Sequence, residues 1–120
     1  MRSLIGIALL LASGQASAAN WLEINDGSDG THASVDLTSI QRSGASRLAW
    51  LKVVDVTPQP SSGSTMIQDE INCTSRMIAH RQIVTYGSDG QLVDQKDLGS
   101  HPSSIIPDSL AEAEMHLVCR

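Results

Sequence analysis

The sequence has no phenylalanine and few aromatic residues of any kind. Of its 120 residues, two are tryptophan and one is tyrosine. A hydrophobic core must therefore be built mainly from isoleucine, leucine, valine and methionine. Basic residues are also scarce, since 8 Lys and Arg stand against 13 Asp and Glu, which gives a net charge of −5 at pH 7. Binding to nucleic acid or to an anionic membrane needs clustered Lys and Arg, so this composition argues against both partners.

Long apolar runs are absent except at the amino terminus. Arg2 precedes the apolar run Leu4–Ala12, and Ala16-Ser17-Ala18 has the small residues of a signal-peptidase site. The run is too short to span a bilayer. We therefore expect residues 1–18 to be a cleaved secretory signal and residues 19–120 to be one exported domain, soluble and either periplasmic or secreted. No cysteine lies near the expected cleavage site, so the lipid anchor of a bacterial lipoprotein is not expected.

Cysteine is nearly absent too, and the two that occur are Cys73 and Cys119. In an exported chain the expected state of such a pair is a disulfide. No C-x-x-C spacing and no neighbouring cluster of basic residues supports a reactive thiolate or a metal-binding pair. In the chain-entropy treatment, closing a loop of this length stabilises the fold by about 4 kcal/mol.

The common catalytic and cofactor motifs are missing as well. There is no G-x-S-x-G nucleophile elbow and no glycine-rich phosphate loop. None of the four histidines lies at metal-ligand spacing from another. They are His32, His80, His101 and His116. Asp69 and Glu70 are neighbours on an expected strand, so they should point to opposite faces and belong to a solvated edge. We expect no catalytic residue, no cofactor and no metal ion.

What is present is a series of β-prone runs. Arg47–Val56 has apolar residues on both faces, which predicts a central strand covered on both sides. The segment Thr57–Ser64 is rich in Pro and Ser and predicts an exposed loop. The other predicted strands are a short one at residues 21–24, Thr31–Leu37, Thr65–Cys73, Ser75–Tyr86 with a bulge, and Gln91–Lys96.

The tetrapeptide GSDG occurs twice, at residues 27–30 and 87–90. Each copy separates two β-prone runs, and the flanking residues of the two copies do not resemble each other. Asp-Gly provides the positive φ that tight hairpins need. The oxygen spacing of a calcium loop is missing. We interpret both copies as turns.

The last segment changes from strand periodicity to helix periodicity. Ser109 and Glu112 have the spacing of a capping box. Leu110, Ala113, Leu117 and Val118 recur on one side of the helix that follows. The predicted fold class is α+β: an antiparallel sheet of about five to six strands with one C-terminal α-helix packed on it and tied to it by the disulfide.

Several stretches together resemble the surface-adhesin protein E-like family of exported proteobacterial proteins. They are Trp21, the run VDLTSI at residues 35–40, the strand that holds Trp50, the run DEINCTSRMIAHRQIVTYGSDGQ and the ending IIPDSLAEAEMHLVC. The resemblance implies a compact antiparallel sheet with a C-terminal helix fastened by a disulfide. It also implies a bacterial envelope protein of a kind that binds host matrix proteins. No basic matrix-binding segment is matched, so the family's binding residues are not assigned here.

Three residues are candidates for contacts. Arg76 lies three residues after Cys73 on an expected strand, where it could form a structural ion pair with Asp69, Glu112 or Glu114, or contact an anion. Trp21 and Tyr86 are candidate contacts for a partner. An exposed edge strand would also be compatible with a homodimer.

The leading hypothesis is a small exported binding protein without catalytic activity, whose partner is a protein of unknown identity. Its contact surface would be a sheet face or edge together with the loop Thr57–Ser64. A second hypothesis is a periplasmic inhibitor or a carrier of a small ligand such as haem. A third is a small hydrolase, which requires His80, His116 and a Ser or Asp within hydrogen-bond distance of one another.

Overall fold

The computed structural model describes residues 18–26, 30–55 and 63–120, which form an antiparallel sheet and one α-helix. The predicted signal segment, except Ala18, lies outside the described residues, as do most of the loop Thr57–Ser64 and the first GSDG turn except Gly30. The strands are β1 (Trp21–Asp26), β2 (Thr31–Asp36), β3 (Gln41–Ser43), β4 (Ser46–Asp55), β5 (Ser64–Asn72), β6 (Met77–Tyr86), β7 (Leu92–Asp97) and β8 (Ser103–Ser104), and the helix is α1 (Leu110–Val118).

The sheet has eight strands, which corrects the expectation of five to six. Six of them form a continuous antiparallel path in the order β1-β2-β4-β5-β6-β7. The other two are short additions, because β3 pairs with one end of β4 and β8 pairs with one end of β6. Strands of three and two residues are too short to show an alternating pattern, so only the tertiary pairing reveals them.

One face of the sheet carries the core. Alternation along β2 and β4 turns Ala33, Val35, Ala49 and Leu51 toward this face, where all four are buried. The described residues place no helix on the opposite face of β4, where Trp50 and its neighbours Leu48 and Val54 are only half-buried. The expectation that β4 is covered on both faces is therefore wrong. The helix covers one face, and we call the other the open face.

The second GSDG turn joins β6 to β7, as its sequence indicates. Gly87 N donates to Gln91 O at 2.9 Å and Gly90 N donates to Gly87 O at 3.0 Å. Gly90 has φ +79°, in the left-handed region that favours glycine. The side chain of Asp89 accepts a hydrogen bond from Gln91 N at 3.0 Å, so the turn is closed by the Asp-Gly chemistry.

The helix begins at its predicted cap and packs on the core face. The Ser109 hydroxyl accepts a hydrogen bond from Glu112 N at 3.2 Å, which satisfies one of the free N–H groups of the first turn. Met115, Leu117 and Val118 are buried in the same cluster as the core residues of β2 and β4. The disulfide joins Cys119, at the end of the helix, to Cys73, immediately after β5. The predicted pairing of these cysteines is confirmed.

Candidate functional site

The three aromatic side chains of the chain all lie on the open face. Trp50 alternates with the buried residues Ala49 and Leu51 along β4, so it points away from the helix. Trp21 is directly opposite Asp36. Asp36 follows the core-facing Val35 along β2 and so points to the open face, and cross-strand partners point to the same face, so Trp21 does too. Tyr86 is opposite Ser64, which is opposite Val54, a residue on the same side of β4 as Trp50. A chain with so few aromatic residues thus presents all of them on the side without a helix.

A groove on the open face runs across β4, β5, β6 and β7. Its volume is about 340 Å³, which is near the lower end for small-ligand sites. By register, Met66 and Val84 lie in a row between the row of Trp50 and the row of Tyr86. None of the lining side chains is charged. They are Trp50, Met66, Gln82, Val84, Tyr86, Leu92 and Gln95.

A ladder of three glutamines crosses this groove. Gln82 Nε2 donates to Gln68 Oε1 at 2.9 Å, and Gln95 Nε2 donates to Gln82 Oε1 at 3.4 Å. Gln68 and Gln82 are directly opposite each other on β5 and β6. Each amide has both donor and acceptor groups, so the ladder retains hydrogen-bonding capacity at its two ends, on Gln68 and on Gln95.

Trp21 lies beside the groove and not in its lining. Lys52 Nζ is 4.9 Å from the centroid of the Trp21 ring, a cation–π contact between β4 and β1. Tyr86 does line the groove. Of the two aromatic residues named as candidate partner contacts, the structure therefore places Tyr86 in the groove and Trp21 at its periphery.

On the core face, two carboxyl side chains meet where the helix packs on the sheet. Asp69 on β5 is 0% exposed and Glu114 on α1 is 1% exposed. His80 Nδ1 is hydrogen-bonded to Asp69 Oδ1. Asp69 Oδ2 and Glu114 Oε1 have no hydrogen-bond partner outside this pair of side chains in the described part of the chain. The expectation that Asp69 belongs to a solvated strand edge is therefore wrong.

The protonation of Glu114 explains how this pair is tolerated. Burial, the negative charge of Asp69 and the hydrogen bond between the two side chains raise the pKa of Glu114 from 4.5 to about 10. At neutral pH Glu114 is therefore a carboxylic acid whose proton is donated to the Asp69 carboxylate. A second charge in this interface would lack a partner, and its desolvation would be costly.

Both carboxyl residues line a cavity of about 270 Å³, together with His80 and Ser109 among others. His116 is not in the lining of this cavity, and its Nε2 lies 3.9 Å from Oε1 of Glu112. The Ser109 hydroxyl caps the helix and donates to Ile106 O at 2.5 Å. The arrangement that a small hydrolase would need, with His80 and His116 at one nucleophile, is not formed by the described residues.

The other histidines also lie apart from one another. His32 contacts Glu23 through its Nδ1, and His101 is exposed beside Gly99. No group of three His, Cys, Asp or Glu side chains suited to holding a metal ion occurs in residues 18–26, 30–55 and 63–120. None of the helical segments in the same ranges has the length and apolar character of a membrane span.

Arg76 lies in the turn between β5 and β6 and not on a strand, which corrects the sequence-based expectation. It has φ +56°, and its N–H donates to Asn72 O at 2.9 Å. Its guanidinium donates to Glu112 Oε2 at 3.2 Å, which links the turn to the helix. Glu112 is one of the three carboxylates considered as partners from the sequence. Its own carboxylate also accepts from Asp108 N at 3.3 Å.

Sequence reasoning missed the glutamine ladder and the buried carboxyl pair. A signal for the pair was available. Asp69 lies between Ile67 and Ile71 at period two, which puts it on the core face of β5. Glu114 is four residues from both Leu110 and Val118, which puts it on the apolar side of the helix. The ladder had no such signal, because it depends on a bulge in β6 that skips Arg81 and brings Gln82 opposite Gln68.

These features define an α+β protein with one helix tied by a disulfide to one face of an antiparallel sheet. The family model for surface-adhesin protein E matches residues 21–120, and the chain belongs to that family. Among solved structures, the chain is similar to crystal form II of Haemophilus influenzae protein E, with a TM-score of 0.53, 18% sequence identity and coverage of 72% of this chain and 79% of that chain. At this identity the likeness shows a shared fold. A search of curated proteins found no match.

Proposed function

We propose that this protein is an exported, non-catalytic binding protein of the surface-adhesin type, and that the open face is its contact surface. Membership of the surface-adhesin protein E family supports the adhesin-type activity. The observation that carries the choice of surface is the uncharged groove between the rows of Trp50 and Tyr86. Tryptophan and tyrosine are enriched among the few residues that contribute most of the binding energy of protein interfaces.

Export to the bacterial envelope or beyond is part of this proposal. It is supported by the signal-like residues 1–18 in the sequence and by the disulfide, which forms in oxidising compartments. To test export, the full chain is expressed in a bacterial host with its own amino-terminal segment. Intact-mass measurement of the exported fraction should find a chain that begins at about residue 19, and an uncleaved chain retained in the cytoplasm would contradict the proposal.

The binding test uses the purified exported protein and immobilised host matrix proteins, with serum albumin as a negative surface. We expect saturable binding to at least one matrix protein. Trp50→Ala should weaken it by at least about tenfold, because truncating a central aromatic contact costs about 2 kcal/mol or more. Ile106→Ala removes an exposed apolar side chain elsewhere on the surface, so it should bind like the wild type. The proposal would be contradicted if the wild-type protein bound none of the matrix proteins, or if Trp50→Ala bound them as tightly as the wild type.

A homodimer remains a prediction. All six side chains of β7 are exposed, and among the described strands β7 pairs only with β6. An unpaired strand edge of this kind can pair with the same edge of a second copy. Light scattering at increasing protein concentration should show a dimer that Val93→Pro dissociates, since proline at an edge removes a hydrogen-bond donor. A monomer at all concentrations would contradict this prediction.

A further inference from the structure

We infer that the groove on the open face binds a neutral oligosaccharide chain, of the kind carried by glycoproteins. This inference rests on the proposed function, because it identifies the chemical class that the proposed contact surface recognises. It is argued from three properties of the groove: its aromatic side chains, its amide ladder and its lack of charge. A fourth property, the backbone pairing of the strands beneath it, distinguishes a saccharide from a peptide.

The aromatic side chains are placed as stacking surfaces for a flat, partly apolar ligand. Trp50 is on β4 and Tyr86 is two strands away on β6, with the Met66 and Val84 row between them. From strand geometry the two aromatic residues are separated by about 10 Å across the sheet and about 13 Å along it. Sugar rings have one face of C–H groups that packs on an aromatic ring, and this spacing fits a short chain of rings better than a single ring.

The amide ladder matches the hydroxyl groups of a saccharide. Each sugar hydroxyl both donates and accepts a hydrogen bond, and an amide side chain offers both functions. The hydrogen bonds at 2.9 Å between Gln82 and Gln68 and at 3.4 Å between Gln95 and Gln82 restrain these side chains, the first more strongly than the second. A ligand therefore meets donors and acceptors that are already oriented, and binding costs less side-chain entropy than it would with three unrestrained glutamines.

The lack of charge selects a neutral saccharide over a sulfated or sialylated one. The groove lining contains no Lys, Arg, Asp or Glu. Lys52 is directly opposite the lining residue Met66, but its ammonium lies over the Trp21 ring on the β1 side, outside the groove lining. An anionic group in this groove would lose its hydration without gaining a charged partner, which is unfavourable.

The strands beneath the groove give a reason to favour a saccharide over an extended peptide. Of the four strands beneath the groove, β4, β5 and β6 are each hydrogen-bonded to a neighbouring strand on both sides, and β7 is the edge strand, paired with β6. The N–H and C=O groups of all four strands lie in the plane of the sheet, so they do not pair with the main chain of a peptide laid across the open face. A saccharide does not need such backbone pairing, because its hydroxyl groups can use side-chain amides.

The first test measures tryptophan fluorescence of the exported protein during titration with oligosaccharides. The chain has two tryptophans, so Trp21→Phe leaves Trp50 as the reporter. The probes are a neutral oligosaccharide panel and the sialylated and sulfated derivatives of the same cores. We expect saturable emission changes with one or more neutral members and weaker binding of the charged derivatives. No saturable change up to about 10 mM of any neutral probe would overturn the inference.

Two variants localise the binding. Trp50→Ala should abolish it. Because Trp50→Ala removes a half-buried side chain, Gln82→Glu provides a second variant that keeps the size of the side chain and places a charge in the groove. It should weaken neutral-saccharide binding at least tenfold, measured by calorimetry, while Ile106→Ala has no effect. Unchanged binding by a folded Gln82→Glu variant would overturn the inference.

A final comparison separates this inference from the proposed function. The matrix protein bound in the earlier test is treated with glycosidases and tested again. Loss of binding supports the inference. Equal binding before and after treatment would overturn the inference and leave the adhesin-type function standing. Binding of free saccharides without binding of any matrix protein would overturn the proposed function and support the groove as a saccharide site.

Discussion

The carboxyl groups of Asp69 and Glu114 meet in the interface between the central sheet and the helix, with almost no exposure to solvent. One comes from the core face of β5 and the other from the apolar side of α1. Because the pKa of Glu114 is raised to about 10, the two side chains share one proton at neutral pH. The helix is thus held to the sheet by a carboxylic acid–carboxylate hydrogen bond as well as by the disulfide, and only the hydrogen bond depends on pH.

The free energy of unfolding of Glu114→Gln, relative to that of the wild type, should be higher at pH 8 than at pH 5. Below pH 4.5 the folded and unfolded chains both carry the Glu114 proton. Between pH 4.5 and about 10 the folded chain retains a proton that the unfolded chain has released, so stability falls as pH rises through this window. The side-chain N–H of glutamine can donate to Asp69 at every pH in this window, so the variant does not need to take up a proton to form the hydrogen bond. The slope of unfolding free energy against pH should therefore differ between wild type and variant by about 1.4 kcal/mol per pH unit.

The measurement is urea-induced unfolding at pH 5, 6, 7 and 8. Glu112→Gln is the matched control, since it makes the same change on the same helix at a carboxylate that is ion-paired with Arg76 and partly exposed. It should shift stability by less than about 1 kcal/mol and keep the wild-type slope. Parallel slopes for wild type and Glu114→Gln would show that Glu114 is not protonated in the folded state.

Replacing both cysteines, as Cys73→Ala with Cys119→Ala, should lower the free energy of unfolding by about 4 kcal/mol. The bond closes a loop between residues 46 positions apart, and removing it frees the unfolded chain. For a domain of this size that loss is a large part of the total stability. Guanidinium denaturation of the double variant and of reduced wild-type protein should agree. A loss below about 1 kcal/mol in both would contradict the entropic account.

Asp36→Asn should destabilise the protein at pH 7 and have less effect in acid. Burial acts to raise the pKa of Asp36, but hydrogen bonds from the Thr38 side chain and from the backbone N–H groups of Asn20 and Thr38 outweigh it, so this pKa lies below its ordinary value. The stabilisation is present above the ordinary pKa of about 3.9 and is lost as pH falls through the lower folded value.

The expected cost of Asp36→Asn at pH 7 is about 1–2 kcal/mol, the range for losing a cap and charge-assisted hydrogen bonds. Unfolding is followed by circular dichroism at pH 7 and pH 3. Asp94→Asn, at an exposed position of β7, is the control and should be nearly neutral at both. An Asp36→Asn cost that is the same at pH 3 as at pH 7 would refute the assignment.

The free energy of unfolding of Arg76→Gly should exceed that of Arg76→Ala by about 1 kcal/mol. Arg76 has φ +56°, a conformation that glycine adopts without steric cost and alanine does not. Both substitutions remove the ion pair with Glu112, whose arginine side is 53% exposed, so that loss should be below about 1 kcal/mol. Thermal unfolding of the two variants compares them directly. Equal stability of Arg76→Ala and Arg76→Gly would indicate that the turn relaxes away from this backbone conformation.

The local rules of the chain account for much of the fold. The Ser109 cap, the Asp-Gly turn at residues 89–90 and the alternating pattern of β4 each depend on a few adjacent residues, so the sequence alone predicts them. The pairing of Cys73 with Cys119 was also predictable, because a chain with two cysteines has one intramolecular pairing available. The resemblance to the surface-adhesin protein E-like family agrees with the family match over residues 21–120.

The sequence by itself thus determined the fold class, the covalent link and the positions of most strands and of the helix. Only the tertiary structure decided which face of the sheet the helix leaves open, that Gln68, Gln82 and Gln95 form a ladder there, and that Asp69 meets Glu114 beneath the helix. The physical reason is register. A bulge at one residue of β6 changes which side chains are opposite each other across strands, and that choice is made by packing over the whole sheet and not by neighbours along the chain.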